Sequence, residues 1–149
     1  MAWTIEFDNL IQTYKNTVEW HKWAYEDCEL KVRATPWLMD HREWIVRNFW
    51  GFGDNAHWQL WKLIVDQMPQ MFKFLEVGVY RGSILSLIPY IARRQNKEVY
   101  TYGVTPLKPT TDDHHTYSDS PNGYEADVAK ACNMWANGVQ PQLMVGMSY

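Results

Sequence analysis

An α/β fold is what this sequence predicts, with a helical arm over residues 1–68 followed by a domain of three parallel strands over residues 69–149. Three observations carry the prediction. The stretch Phe72–Ser83, F-K-F-L-E-V-G-V-Y-R-G-S, is an apolar run that breaks into a turn with Gly78 and Gly82 and passes at once into apolar-periodic residues from Ile84. Two further strand-like runs, Glu98–Val104 and Gln142–Gly146, each follow a helical pattern, and alternating helices and strands build a parallel sheet. Before Pro69 the apolar residues step with helical rather than strand spacing.

In the arm, Phe7, Ile11, Tyr14, Val18, His21, Tyr25, Cys28 and Val32 alternate steps of four and three, which predicts one amphipathic helix. Lys15, Glu19, Lys22, Glu26 and Glu29 flank the seam as a solvated face does. Tyr, His and Cys on the seam favour packing on the chain's own domain over pairing with another subunit, and His21 reads as a packed residue rather than a ligand. Thr35-Pro36 stops this helix, because the residue before proline is pushed out of the α region. Trp37, Leu38, His41, Trp44, Ile45 and Phe49 make a second helix, broken by Gly51-Phe52-Gly53. Asp54 or Asn55 caps a third, Ala56–Gln67, which Pro69 closes.

The first strand is centred on Phe74–Val79 and carries one acid, Glu76. A helix over Ile84–Gln95 follows; Pro89 inside it predicts a kink or an early stop. Glu98–Val104 is the second strand. Residues 107–121 form a polar loop in which Asp112, Asp113, His114 and His115 are metal-ligand types, but neighbouring loop side chains rarely converge on one ion, so no metal site is assigned. Tyr124–Trp135 is a helix ended by Asn137-Gly138, and Gln142–Gly146 is the third strand.

Composition excludes several classes. A net charge of −3 leaves no footprint for nucleic acid or an anionic membrane. No apolar run approaches the roughly 20 residues of a membrane span. The start M-A-W-T-I-E-F-D lacks the basic head and apolar core of a signal peptide. Cys28 and Cys132 stand far apart in helical patterns, which points to reduced core residues and a cytoplasmic location. Nine tryptophans suit helices with large contact surfaces and a surface for a partner.

Strand, glycine turn, helix is also the arrangement of a nucleotide-type site: glycine lets the backbone approach a ligand, and the helix start aims free N–H groups and a positive dipole end there. A tight strand-to-helix connection without a ligand has the same spacing. The residue types E-V-G-V-Y-R-G-S resemble the first motif of class I S-adenosylmethionine-dependent methyltransferases, in the branch of sugar, macrolide and small-molecule O-methyltransferases and cephalosporin-hydroxylase-like proteins. The resemblance covers about residues 55–149 and takes in H-W-Q-L-W-K-L (His57–Leu63) and Y-G-V-T-P-L (Tyr102–Leu107). It implies a partial Rossmann-like three-layer domain with S-adenosylmethionine on the turn. Gly78 and Gly82 then let the backbone approach the cofactor's amino-acid part, Glu76 orients the turn, Tyr80, Arg81 and Ser83 line it, and Thr105 faces the ribose. The family usually has an acid where Thr105 stands, so weaker cofactor binding is expected; a threonine offers one hydroxyl and no charge.

The function the resemblance implies is methyl transfer to a small-molecule or sugar hydroxyl. The alternative is a non-catalytic structural or interaction protein that keeps a degenerate form of the fold. The family orders its strands three-two-one-four-five-seven-six, and this chain supplies what look like the first three. The first strand's outer edge is then expected to be completed by another copy or by a partner protein, since an apolar, unpaired edge invites association.

Overall fold

The computed structural model describes residues 5–48, 50–51, 53–105 and 123–145, with side chains from residue 9 onward. The chain divides into two compact units: residues 1–48 with 52–69, and residues 49–51 with 70–149.

The first unit is helical: α1 (Ile5–Gln12), α2 (Val18–Arg33), α3 (Pro36–Arg47) and α4 (Asn55–Gln67). The single helix expected over the seam is two. Thr17 takes the N-cap position of α2 in extended backbone and its hydroxyl accepts the Trp20 N–H at 3.2 Å, while Thr13 Oγ1 bonds back to the Asn9 carbonyl at 2.6 Å. A good cap satisfies an otherwise orphaned donor and outweighs continuing the pattern. Among the described side chains the seam is buried at its far end, at Cys28 and Val32; Ile11, Tyr14, Val18 and Tyr25 are exposed. α2 packs on α3 and α4 around Leu38, Ile45, Trp58, Leu63 and Val65. Proline is tolerated in a first helical turn, and Pro36 sits there in α3. His41 is fully buried: Trp58 Nε1 donates to its Nδ1 at 3.0 Å, and desolvation pushes its pKa down to about 3. The neutral imidazole is thus a structural acceptor. His57 is one too, its Nδ1 taking the Asp54 N–H at 3.1 Å at the start of α4.

The second unit is a three-stranded parallel sheet in the order β1-β2-β3, from β1 (Met71–Val77), β2 (Glu98–Thr105) and β3 (Gln142–Val145). With α5 (Ser83–Arg94) and α6 (Tyr124–Trp135) it is the α/β, partial Rossmann-like arrangement that the sequence predicts. α5 packs on β1 and β2, and α6 packs on α5. The core joins Val79, Leu85, Val128, Cys132 and Ala136, with Phe74 and Leu143 against it. Val99, Thr101, Gly103 and Thr105 of β2 are buried on this side. The opposite face carries Met71, Leu75, Val77, Tyr100 and Met144, all exposed. The near-continuous apolar run of β1 therefore has helices on one face only among the described residues, where a run of that kind is usually covered on both.

α5 runs without interruption through Pro89. Proline leaves the carbonyl four residues earlier without its helical donor, and here that carbonyl, Leu85, takes the thiol of Cys132 at 3.9 Å. The expected kink or stop is replaced by this contact from α6. Neither Cys28 nor Cys132 is in a disulfide, and both are buried. No described helix is long and apolar enough to cross a membrane. The polar loop at residues 107–121, with Asp112 to His115, lies outside the described residues.

Candidate functional site

β1 ends at Val77, two residues earlier than its apolar run, because Gly78 turns the backbone with φ at +88°. The Gly78 N–H still reaches the Val104 carbonyl at 2.9 Å, so the turn stays pinned to the C-terminal end of β2. Gly82 is the N-cap residue of α5, with φ at +83°. Positive φ explains both glycines on conformation alone, yet their surroundings differ. A Cβ on Gly78 would have no described atom within 4 Å; one on Gly82 would stand 2.9 Å from the Val128 backbone of α6. Gly78 is thus the position at which something can approach the backbone. Gly82 is held close by helix packing.

The expected lining residues divide in the same way. Glu76 is half-buried at the end of β1, and its carboxyl accepts the Leu85 N–H in the first turn of α5, as an acid at a helix start should. Its Oε2 is buried without a hydrogen-bond partner among the described residues. Burial, partly offset by that N–H, pushes the Glu76 pKa up to about 7. The Ser83 hydroxyl, in a residue 9% exposed, likewise has no hydrogen-bond partner among the described residues. Gly78, Glu76 and Ser83 therefore gather one open backbone position and two unused polar atoms around the turn.

Three other side chains are engaged inside the unit. Arg81 is 8% exposed; its Nε meets Asp127 Oδ2 at 2.5 Å, and its guanidinium lies 5.0 Å from the centre of the Trp50 ring. Tyr80 packs edge-on against Tyr124 at 5.2 Å. Thr105 is 1% exposed, and its hydroxyl donates to the Val79 carbonyl at 2.7 Å, tying the end of β2 to the glycine turn. Asp127, Tyr124 and Trp50 were not legible as partners: Asp127 is 46 positions from Arg81, and its only local signal is an acid in the first turn of a helix. No cluster of metal-ligating side chains occurs among the described residues. In comparisons with known proteins, no family model, no curated protein and no solved structure matched this chain significantly.

Proposed function

We propose that the glycine turn is the seat of an S-adenosylmethionine-type cofactor, and that the chain is a methyltransferase-like protein of the cytoplasm acting on a small-molecule or sugar hydroxyl. The observation that carries this reading is Gly78: a backbone position at the C-terminal end of a parallel sheet with positive φ and, among the described residues, free space where a side chain would stand. Crevices outside the carboxyl ends of such strands are where this class of fold takes its ligands. Glu76 would hold the start of α5 in place, and Ser83 would meet the ligand with its hydroxyl. Methyl transfer chiefly needs donor and acceptor held in line at close range.

A second reading, a non-catalytic interaction protein, draws on Thr105 and Arg81. The first stands where the family carries its ribose-binding acid and has turned its hydroxyl to Val79; the second is paired with Asp127. On that reading β1, which pairs only with β2 among the described residues, offers its other edge to a second copy or a partner protein.

Calorimetry with S-adenosylhomocysteine separates the two. Saturable binding in wild type, lost in Gly78→Val while circular dichroism shows the fold retained, supports the cofactor reading. Absence of any saturable heat in wild type refutes it, and light scattering that shows concentration-dependent association would then favour the interaction protein.

A further inference from the structure

We propose a second small-molecule site at the other end of the same sheet: a cleft for a small ring-bearing monocarboxylate. It arises from the lengths of the strands. β3 begins at Gln142 and pairs with Tyr102–Thr105, so Glu98–Thr101 have no described strand beside them on that side. The chain before β3 is set back by a turn with positive φ at Asn137 and Gly138. That turn is braced by Gln140, whose side-chain amide donates to Asn133 Oδ1 at 2.9 Å. What remains is a cavity of about 320 Å³ between the end of α5, the end of α6 and the lower half of β2. Ligand cavities begin at about this size.

The lining has the composition of a binding site rather than of a packing fault. Pro89, Val99 and Ala136 form a buried apolar floor. Thr101 lines the cleft beside them; the residue is 5% exposed, and its Oγ1 is buried with no hydrogen-bond partner among the described residues. A buried hydroxyl left unsatisfied carries a desolvation penalty, which an acceptor on a ligand would offset. Arg93, in the last turn of α5, stands exposed at the rim and makes no ion pair with a described residue. The acid at the rim, Glu98, already takes the Tyr100 hydroxyl at 2.6 Å. Two cations, Arg93 and Lys97, and one carboxylate, Glu98, line the cleft, a balance that favours a single negative charge over two. The apolar floor selects a ring or branched body, with its carboxylate on Arg93 and one oxygen toward Thr101.

Benzoate is the probe, titrated into the full chain with backbone amide shifts recorded by NMR. Saturable shifts at amides of residues 89–102 and 136–142 are expected. Affinity should fall about tenfold in Arg93→Gln, as for loss of a charge-assisted hydrogen bond. Thr101→Val should weaken binding without lowering the melting temperature, because it removes an unsatisfied hydroxyl and keeps the shape. Neutral benzamide should bind more weakly than benzoate. Absence of saturation, shifts outside the cleft, equal binding of benzamide, or unchanged affinity in either variant overturns the proposal.

Discussion

The glycine turn has two sides. Facing inward, Arg81, Gly82 and Thr105 are bound to Asp127, Val128 and Val79 and are almost fully buried. Among the described residues Gly78 is open at its α-carbon, and Glu76 and Ser83, though largely buried, each keep a polar atom without a described partner. Residues within one eight-residue motif thus answer to different demands. The inward set closes the fold, tying the turn to α6 and to the end of β2. The second set is what remains for a ligand. A motif read along the chain cannot separate these roles, because the atoms that divide them belong to other elements.

The comparison breaks most severely at the buried ion pair. Asp127→Ala leaves the Arg81 guanidinium buried without its carboxylate, and such losses run to about 3–5 kcal/mol. Chemical denaturation should show this drop. If stability is unchanged, Arg81 is free to serve the second set after all. The glycines sharpen the contrast. Gly82→Ala combines a positive φ with a Cβ 2.9 Å from backbone, and about 3 kcal/mol of destabilisation is expected. Gly78→Ala meets only the conformational penalty, about 1 kcal/mol. Equal losses would mean that the two sides of the turn are equally packed.

Glu76 gives the most specific effect. Its folded pKa of about 7 lies above the ordinary glutamate value of 4.5. Below the lower value both states are protonated and nothing is lost. Between the two the folded state holds the proton more tightly, so stability falls as pH rises, and above the upper value the full penalty applies. Glu76→Gln keeps an acceptor for the Leu85 N–H and removes the charge. It should stabilise the protein at pH 8.5 by on the order of 2 kcal/mol and change nothing at pH 4. Denaturation midpoints at the two pH values check this; a pH-independent difference would place the Glu76 carboxyl in water.

Where a signal was local, the sequence carried it. Tyr124–Trp135 forms a helix over those residues, and Glu98 opens β2 as its alternation predicts. The break between α1 and α2 was also written locally, in Thr17 and its bond to the Trp20 N–H, but the seven-residue seam overshadowed it. Pro89 was legible as a disruption; its resolution was not, because the group that answers it, Cys132, is 47 positions from the Leu85 carbonyl. Gly103 shows the same limit. A Cβ there would stand 2.8 Å from Val79 and 2.9 Å from Leu143, and neither contact can be read from the alternation of β2. At the candidate site the residue types were legible and their directions were not, for Thr105 reaches across 26 positions to Val79.

The two cysteines make the molecule its own timekeeper. Cys28 lies in the helical unit at 2% exposure and Cys132 in the sheet unit at 0%. Thiol reagents attack the thiolate, and burial with Glu76 nearby pushes the Cys132 pKa up to about 12. While the native packing holds, that sulfur is both out of reach and in the unreactive form. Alkylation at neutral pH therefore waits for the surrounding structure to come apart, and its rate counts those events. With one such sulfur in each unit, mass spectrometry of a single labelling time course distinguishes opening of the helices from opening of the sheet, with no engineered residue in the chain.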